Sequence, residues 1–452
     1  MACPAEPRER GGGKGHVENT SPSCQTGSKS GHQVIRPSGH RAVRPSGHRA
    51  ITSRAAARTS RRGWLRQNRS VRIVQANAVY DPAAKTADDL LDRYRTLTEW
   101  STAVAAAGAT VSVVQRFRTA ARVERDNVAY EFVADTQPPW LSTKGAPEQF
   151  IKAVAAQTPD VVHINGLIFP QLAAGIRAAV GSRVAIVVQH HGGEFPIRGS
   201  GLVGLWQRQR WHNGLAAADA VSFTAADQAE PWRAAGVLGD QRVLSIIEAS
   251  TTMREVSRDR ARLAIGATGD PLILWVGRLT TNKDPITILD GLERALPQMP
   301  SAQVMMLFGD DTLLDSVEQR VRASAILSAQ ISLSGRVAHD EMPNYYSAAD
   351  VFVSGSHSEG SGYALIEAMS VGVIPVVTDI PSFRAIAGGC GARFPPGDAD
   401  AFAEALLRTS ATDLVSSKAA TKAHFTRELR WSAIATRTLA EYQSILDARR
   451  SG

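Results

Sequence analysis

The segment from Ser354 to Met369 reads SGSHSEGSGYALIEAM and combines two carboxylates with a run of small residues. Its pattern predicts a strand that ends at Ser354, a loop, and a helix that begins near Gly362. Backbone amides at a helix N-terminus bind anions, and Gly360 and Gly362 would let a phosphate or a sugar approach the backbone. The segment therefore predicts an anion-binding or sugar-binding loop.

The two glutamates of this segment predict different environments. Glu359 lies in the loop, where it could contact a ligand in a cleft. Glu367 lies among apolar residues of the helix, and a buried carboxylate is costly unless a partner compensates it. A bound diol such as a ribose would be a suitable partner. The alternative is a tight turn at the glycines and a structural arginine beside Glu367.

A second group of charged residues follows a predicted strand, where Trp275 to Asp284 reads WVGRLTTNKD. Arg278 and Lys283 stand at the carboxyl end of that strand, beside the start of a helix. Two cations there could grip a diphosphate and neutralise its charge as it departs. The alternative is a pair of solvated loop charges.

A third group is a histidine pair, in the stretch VVQHHGGE from Val187 to Glu194. His190 or His191, at the end of a buried strand, could bind a sugar hydroxyl or carry a proton. A structural histidine is the alternative for either. His163 lies inside a predicted strand, and we expect it in the core.

Short β-branched runs alternate with helical patterns from Val71 onward, as in a parallel sheet covered by helices. In the first half the predicted strands are Val71–Gln75, Thr110–Gln115, Val128–Val133, Asp160–Ile164, Val184–Gln189, Ala220–Phe223 and Arg242–Ile246. The predicted helices are Thr86–Ala107, Ala146–Gln157, one from Phe169, and Leu202–Ala217.

The second half repeats the scheme after a polar connector around Thr251–Arg262. Its predicted strands are Ile273–Val276, Gln303–Phe308, Gln330–Ser334, Asp350–Ser354 and Ile374–Thr378. Its predicted helices are Ile286–Ala295, Leu313–Ser328, Asp340–Ser347, Tyr363–Val371 and Asp398–Arg408. The fold class is therefore α/β, with two doubly wound domains facing a cleft, and ligands should bind beyond the carboxyl ends of the strands.

The net charge of +8 belongs to the first part of the chain. Residues 1–70 carry a net charge of +11, whereas residues 71–452 carry −3. Residues 1–70 are also nearly free of large apolar side chains, which predicts a disordered basic tail. It could be a non-structural extension, a tail that contacts nucleic acid or acidic lipid, or a transit peptide. The nearly neutral body gives no reason to expect a nucleic-acid partner.

Composition and motifs exclude several other classes. No apolar run is long enough for a transmembrane helix, and Cys3, Cys24 and Cys390 are too scattered for a disulfide framework or a zinc cluster. No Walker sequence, serine-hydrolase elbow or GxGxxG motif opening a helix is present. We therefore expect a cytoplasmic protein with no metal and no cofactor. The helix with Trp206, Arg208, Arg210 and Trp211 either packs on the core with one solvated side or touches a membrane interface.

Together these residues resemble the retaining, GT-B-type glycosyltransferases of glycosyltransferase family 4, also called group 1. The resemblance covers roughly residues 71–445 and is strongest over 272–397. Its most specific element is two glutamates separated by seven residues, here Glu359 and Glu367. Supporting elements are VGRL from Val276 with Lys283, ADVFVS from Ala349, and GVIPVVTD from Gly372.

The resemblance implies a role for each matching residue. Arg278 and Lys283 would grip the nucleotide diphosphate, Glu359 would contact the donor sugar, and Glu367 would bind the ribose hydroxyls. Backbone near Arg336 and Val337 would hold the base, and His190 or His191 would lie near the sugar. The remaining expected donor-binding residues are Gly277, Gly360, Ser361, Gly362 and Tyr363.

The resemblance also implies domains and an activity. It implies an acceptor-side domain at 71–250 with a returning C-terminal helix at 430–447, and a donor domain at 251–429. The expected activity is metal-independent transfer of a hexosyl unit, with retention, from a UDP- or GDP-sugar to a hydroxyl of a glycan, glycolipid or small molecule. Peripheral contact with the inner membrane face is a further expectation. The alternatives are an epimerase or phosphorylase of the same fold, or a silent nucleotide-sugar-binding scaffold.

Three segments depart from the pattern of that family. Val79-Tyr-Asp-Pro-Ala83 replaces an early Gly-Gly loop, and Ile247-Glu-Ala-Ser-Thr251 replaces an Asn-Gly-Val-Asp segment between the domains. Ser361 stands where an aromatic residue is usual. These departures concern the sugar and the acceptor rather than the nucleotide.

Overall fold

Two sheets organise the chain in the computed structural model, which describes residues 70–135, 148–167, 169, 171–192, 195, 201–309 and 311–451. The predicted tail, residues 1–70, lies outside this range except for its last residue. The first sheet has the strand order β3-β4-β2-β1-β5-β6-β7-β8, and only β3 is antiparallel to its neighbour. The second has the order β11-β10-β9-β12-β13-β14 and is parallel throughout. The predicted α/β class with two doubly wound parallel sheets is confirmed.

The elements around the first sheet alternate along the chain. The strands are β1 Arg72–Asn77, β2 Thr110–Phe117, β3 Ala121–Arg125, β4 Val128–Ala134, β5 Val161–Asn165, β6 Ala185–Gln189, β7 Ala220–Phe223 and β8 Arg242–Ser245. The helices are α1 Ala87–Arg93, α2 Arg95–Ala106, α3 Glu148–Ala156, α4 Leu172–Val180, α5 Gly201–Leu215 and α6 Glu230–Ala234.

The second sheet is built in the same way. Its strands are β9 Leu272–Gly277, β10 Gln303–Phe308, β11 Ile331–Gly335, β12 Val351–Ser354, β13 Ile374–Thr378 and β14 Ala392–Phe394. The helices of this half are α7 Arg258–Ile265, α8 Pro285–Ala295, α9 Leu314–Arg322, α10 Ala325–Gln330, α11 Met342–Ala348, α12 Tyr363–Ser370, α13 Pro381–Ala387, α14 Ala399–Ser410, α15 Leu414–His424 and α16 Trp431–Ser451.

Two helices that the sequence predicted as continuous are broken. The predicted helix Thr86–Ala107 is interrupted at Tyr94, whose backbone is not helical and whose hydroxyl donates to buried Asp81 at 3.0 Å. The predicted helix Leu313–Ser328 is interrupted before Ser324, whose hydroxyl accepts from the Leu327 amide and starts a new helix. At Ser324 a local side-chain bond to the backbone competes with the helical pattern. At Tyr94 the bond is a tertiary one between two side chains.

Several elements were not predicted. Strand β3 pairs with β4 across Asp126 and Asn127, both of which have positive φ, as a tight hairpin turn requires. The connector predicted as polar at 251–262 contains the start of α7. Helices α13 and α15 and strand β14 were also missed, although Pro381 and Asp413 are good helix-start signals.

A continuous apolar core joins the two sheets. One cluster of buried residues extends from Ile73 on β1 to Phe352 on β12 and Leu365 on α12. Helix α16 also packs on the first sheet, because the Trp431 indole donates to Glu99 on α2 at 2.9 Å and the Tyr442 hydroxyl contacts buried His163 on β5. Within the described part of the chain, no helix is both long enough and apolar enough to cross a membrane.

Candidate functional site

A cavity of about 750 Å³ lies where the carboxyl ends of the two sheets meet. Its walls include residues that directly follow β9, β10, β11 and β12, together with His191, which follows β6. Parallel strands place their carboxyl ends at one edge, so residues far apart in sequence converge there. Of the predicted site residues, Gly277, Arg278, Lys283, Arg336, Val337, His191 and the run from Glu359 to Tyr363 line this cavity.

The loop between β12 and α12 forms one wall of the cavity. Gly362 is the N-cap of α12 and has a φ of 62°, a conformation that glycine adopts without strain. Helix α12 has eight residues and begins at Tyr363, so its first amides face the loop that carries Glu359. This is the arrangement that the sequence predicted for an anion-binding or sugar-binding loop.

Lys283 and Glu359 form an ion pair at the cavity wall. The Ser356 hydroxyl also donates to the same Glu359 oxygen at 2.8 Å. Lys283 is therefore not a solvated loop charge, because its ammonium group neutralises the Glu359 carboxylate in the loop between β12 and α12. Arg278 is exposed, lines the same cavity, and has no ion-pair partner among the described residues.

Glu367 lies on α12, four residues after Tyr363, and does not line the main cavity. It lines an adjoining recess of about 380 Å³, which shares His339 and Tyr363 with the main cavity. The Tyr346 hydroxyl donates to Glu367 Oε2 at 2.9 Å, so its described partner is a tyrosine and not the structural arginine considered above. Burial raises the pKa of Glu367 in spite of this hydrogen bond.

The opposite wall of the cavity comes from the ends of β10 and β11. The Arg336 guanidinium donates to the Gly309 carbonyl at 2.9 Å and so closes that end of the cavity. Val337 follows it and lines the wall. On the cavity wall, the Tyr363 hydroxyl lies 2.6 Å from Thr96 Oγ1 on α2. This hydrogen bond connects the two halves of the chain.

The structure separates the two histidines that the sequence left as alternatives. The His190 ring packs against Phe223 and Trp232, with centroid distances of 5.5 and 5.0 Å, and does not line the cavity. His191 lines it. Consecutive residues in extended backbone point to opposite sides, which is why only one of the pair reaches the cavity.

Sequence reasoning missed a buried acidic residue behind His191. Glu248, three residues after β8, is 4% exposed and pairs with His191 Nδ1. Burial by itself raises the pKa of Glu248, but the charge and hydrogen bond of His191 outweigh it and hold that pKa below its usual value. The same pair holds the pKa of His191 above its usual value against the effect of burial. A lone carboxylate in the apolar run SIIEAS was the available signal.

Gly360 lies against the backbone of the first sheet. A Cβ at this position would overlap the carbonyl oxygen of His191. The glycine therefore allows the loop between β12 and α12 to approach the end of β6. Within the described ranges, no cluster of three or more histidine, cysteine or acidic side chains is suited to a metal ion.

Comparison with known proteins finds sequence similarity to glycosyltransferases. Residues 270–411 match the family model described as Glycosyl transferases group 1. The chain is 34% identical over 148 residues to mannosylfructose-phosphate synthase of Agrobacterium fabrum, and the match spans 31% of this chain and 32% of that enzyme. It is 27% identical over 305 residues to GDP-mannose:cellobiosyl-diphosphopolyprenol alpha-mannosyltransferase of Xanthomonas campestris, spanning 66% of this chain and 77% of that enzyme.

Solved structures share the fold over most of the chain. Sucrose-phosphate synthase of Thermosynechococcus elongatus superposes with a TM-score of 0.58 at 20% identity, covering 84% of this chain and 100% of that one. Anabaena HepE, solved in complex with UDP and glucose, has a TM-score of 0.58 at 14% identity and covers 83% and 100%. The chain thus has the GT-B fold, and its residues 270–411 are similar to the group 1 glycosyltransferases.

Proposed function

We propose that this protein transfers a hexosyl unit from a nucleoside-diphosphate sugar to a hydroxyl acceptor, with retention and without a metal ion. The observation that carries the proposal is the cavity at the carboxyl edges, where Arg278, the Lys283–Glu359 pair and the start of α12 converge. Its size is typical of cofactor and substrate pockets. The relatives named above are sugar transferases and synthases, which favours transfer over the epimerase, phosphorylase and scaffold alternatives.

The donor diphosphate would occupy the side of the cavity next to Arg278 and Lys283. As the bond to the sugar breaks, negative charge develops on the diphosphate. Two preorganised cations and the amides at the start of α12 would stabilise that charge without a metal ion. Lys283 would then share its charge between the diphosphate and Glu359.

The other parts of the donor would extend to either side of the diphosphate. The sugar would lie between His191 and the backbone from Glu359 to Gly362, with Glu359 as a hydrogen-bond acceptor for its hydroxyls. The ribose would reach towards Glu367 beside Tyr363, and the base would lie against the backbone of Arg336 and Val337. Retention would follow from attack on the face of the sugar that the diphosphate leaves.

The acceptor would be presented at a lipid surface. Helix α5 exposes four apolar side chains in its first two turns: Leu202, Val203, Leu205 and Trp206, the first 86% exposed and the last 61%. The Arg210 guanidinium lies over the Trp206 ring at 5.5 Å, whereas Trp211 packs inward on Trp232. Because α5 leads back to the amino end of β7, these turns lie on the cavity side of the sheet. An aromatic and basic helix face is suited to an anionic membrane interface.

The donor assignment is tested by thermal stabilisation of the full chain with UDP, GDP, ADP and TDP and their sugars, with and without magnesium. A ligand at 100 times its dissociation constant adds roughly 2.7 kcal/mol to the unfolding free energy. We expect a metal-independent shift with one nucleotide. The protein is then incubated with the corresponding nucleotide sugar and an acceptor. The anomeric configuration of the product is determined by NMR. Inversion in the product would contradict the proposed mechanism.

Membrane contact is tested separately by co-sedimentation with vesicles that contain anionic lipid. We expect the wild-type protein to sediment and the double variant Leu202→Ser with Trp206→Ser to remain in the supernatant. Val415→Ser removes an exposed apolar side chain on α15 and serves as the matched control. Equal sedimentation of all three proteins would rule out α5 as the contact.

A further inference from the structure

Glu248 is buried at the junction between the two sheets, and the proposed function gives it no role. It follows β8 on the first sheet, yet its carboxylate reaches residues on both sides of the cavity. Oε2 pairs with His191 Nδ1 and accepts from the Gln189 amide at 2.9 Å. Oε1 accepts from the hydroxyl of Ser361 in the loop between β12 and α12, residues 355–362, which we call the donor loop.

The partners of Glu248 explain how a charged carboxylate can be buried inside the protein. A buried carboxylate is strongly destabilising unless it is paired and hydrogen-bonded. Here both oxygens are engaged, one by an imidazole and an amide, the other by a hydroxyl. The carboxylate therefore connects the ends of β6 and β8 to the donor loop through an ion pair and hydrogen bonds.

His191 is fixed by these contacts. Its Nδ1 bonds Glu248, and its Nε2 lies 2.6 Å from Asn165 Oδ1 at the end of β5. An imidazole that donates from both nitrogens is protonated and has one orientation. The ring that forms part of the cavity wall is thus held in place by two side chains that do not themselves line the cavity.

The donor loop is attached to the first sheet at three consecutive residues. Besides the bond from Ser361 to Glu248, the Thr224 hydroxyl donates to the Gly360 carbonyl at 2.9 Å, and the Gln228 amide donates to the Glu359 carbonyl at 3.1 Å. Glu248 provides the one ionised group among these contacts. Its loss would free both His191 and the loop.

We propose that Glu248 is a positioning residue, which holds His191 and Ser361 together and so fixes the loop with Glu359 against the first sheet. The structural part of this inference depends only on the contacts above, whereas its kinetic consequence rests on the proposed glycosyl transfer. The residue acts through its neighbours and need not touch the substrate.

The first test compares full-length wild type, Glu248→Gln and the control Glu441→Gln, whose glutamate pairs with Arg242 on β8 away from the cavity. Amide hydrogen exchange in peptides spanning 356–363 should become faster in Glu248→Gln and not in the control. In NMR titrations the pKa of His191 should fall, because the Glu248 charge no longer offsets the effect of burial. No change in either measurement would overturn the proposal.

The second test is kinetic. With Glu248→Gln we expect turnover of the nucleotide sugar to fall about 10- to 100-fold, because the loop and His191 are misplaced. The affinity for the nucleoside diphosphate alone should stay within about twofold, because the base and ribose sites are separate. An equal loss of turnover and of nucleoside-diphosphate affinity would indicate a merely structural role and would overturn the proposal.

A third variant keeps the proposal testable if Glu248→Gln does not fold. Ser361→Ala removes only the loop hydrogen bond, so hydrogen exchange in the loop should rise while the pKa of His191 stays high. An unchanged loop would overturn the proposal. If wild type turns over no donor but the exchange and NMR effects appear, the proposed function fails and the positioning role stands.

Discussion

The two edges that form the cavity carry their charges differently. On the second sheet, Arg278, Lys283 and Glu359 are at the cavity wall, where a ligand can reach them. On the first sheet, the Glu248 carboxylate is buried, and its charge is balanced by His191. The second-sheet edge presents charge at the cavity wall, including the Lys283–Glu359 ion pair, whereas the first-sheet edge uses buried charge to hold protein groups in place.

This difference indicates that the two edges have different roles. Cations that line a cavity can stabilise negative charge that develops on a ligand during a reaction. A buried pair has no such freedom, because separating it would leave an uncompensated charge in the interior. We therefore expect variants of the second-sheet edge to change the chemistry, and variants of the first-sheet edge to change the arrangement of the loop.

The largest effect should come from the cations of the second-sheet edge. Lys283→Met and Arg278→Gln should each reduce kcat about 10²- to 10³-fold, as expected when a stabiliser of developing charge is removed. Lys422→Met, which removes an exposed ion pair with Glu255, is the control. Steady-state kinetics measure the effect. Near-wild-type turnover in both site variants would break the comparison.

The second effect concerns the contact between the two edges. Gly360→Ala would place a Cβ on the His191 carbonyl and push the donor loop out of position. We expect about a 100-fold loss in turnover, since small misplacements of reacting groups are that costly. The matched control is Gly389→Ala, where a Cβ would meet nothing within 4 Å. Equal activity of the two variants would show that the edges need not touch.

The third prediction tests whether Glu367 binds the ribose hydroxyls of the nucleotide. Glu367→Gln should weaken nucleoside-diphosphate binding about tenfold, because a hydrogen bond to a charged acceptor is lost. In isothermal titration, wild type should prefer the ribonucleotide over its 2′-deoxy form, and the variant should not. Glu404→Gln on the exposed face of α14 is the control. A preference that persists in Glu367→Gln would exclude contact with the ribose hydroxyls.

The smallest effect is a pH dependence of the buried pair. The Glu248 pKa is lowered and the His191 pKa is raised in the folded protein, and His190 and His163 are the neighbouring titratable groups that act on them. The stabilisation is fully present above the ordinary pKa of glutamate and below that of histidine. It is lost as the pH falls through the folded pKa of Glu248 or rises through that of His191.

Thermal unfolding of wild type and Glu248→Gln across pH measures this window. The difference in unfolding free energy should reach about 1 kcal/mol between roughly pH 5 and 6.5. It should shrink on both sides of that window. A difference independent of pH would mean that Glu248 and His191 do not form a charged pair.

Local pattern was enough to predict the fold class and the charged residues at the carboxyl edge of the second sheet. Buried β-branched strands alternate with amphipathic helices, and that alternation alone specifies parallel sheets. Arg278, Lys283 and Glu359 were predictable because each follows a strand within a few residues, where short-range pattern places it at the carboxyl edge. Helix breaks at Tyr94 and Ser324 were not predictable in this way, because tertiary and local polar bonds override helical periodicity.

Only the tertiary structure decided which side chains meet. The sequence places His190 and His191 next to each other, but strand geometry and the packing of Trp232 direct one ring inward and the other to the cavity. Asn165, His191, Glu248 and Ser361 come from four separate segments, and their contacts arise when the carboxyl edges of the two sheets face each other. These contacts could not be predicted from the spacing of the residues in the sequence, because the long connections between the segments leave their separation in space undetermined.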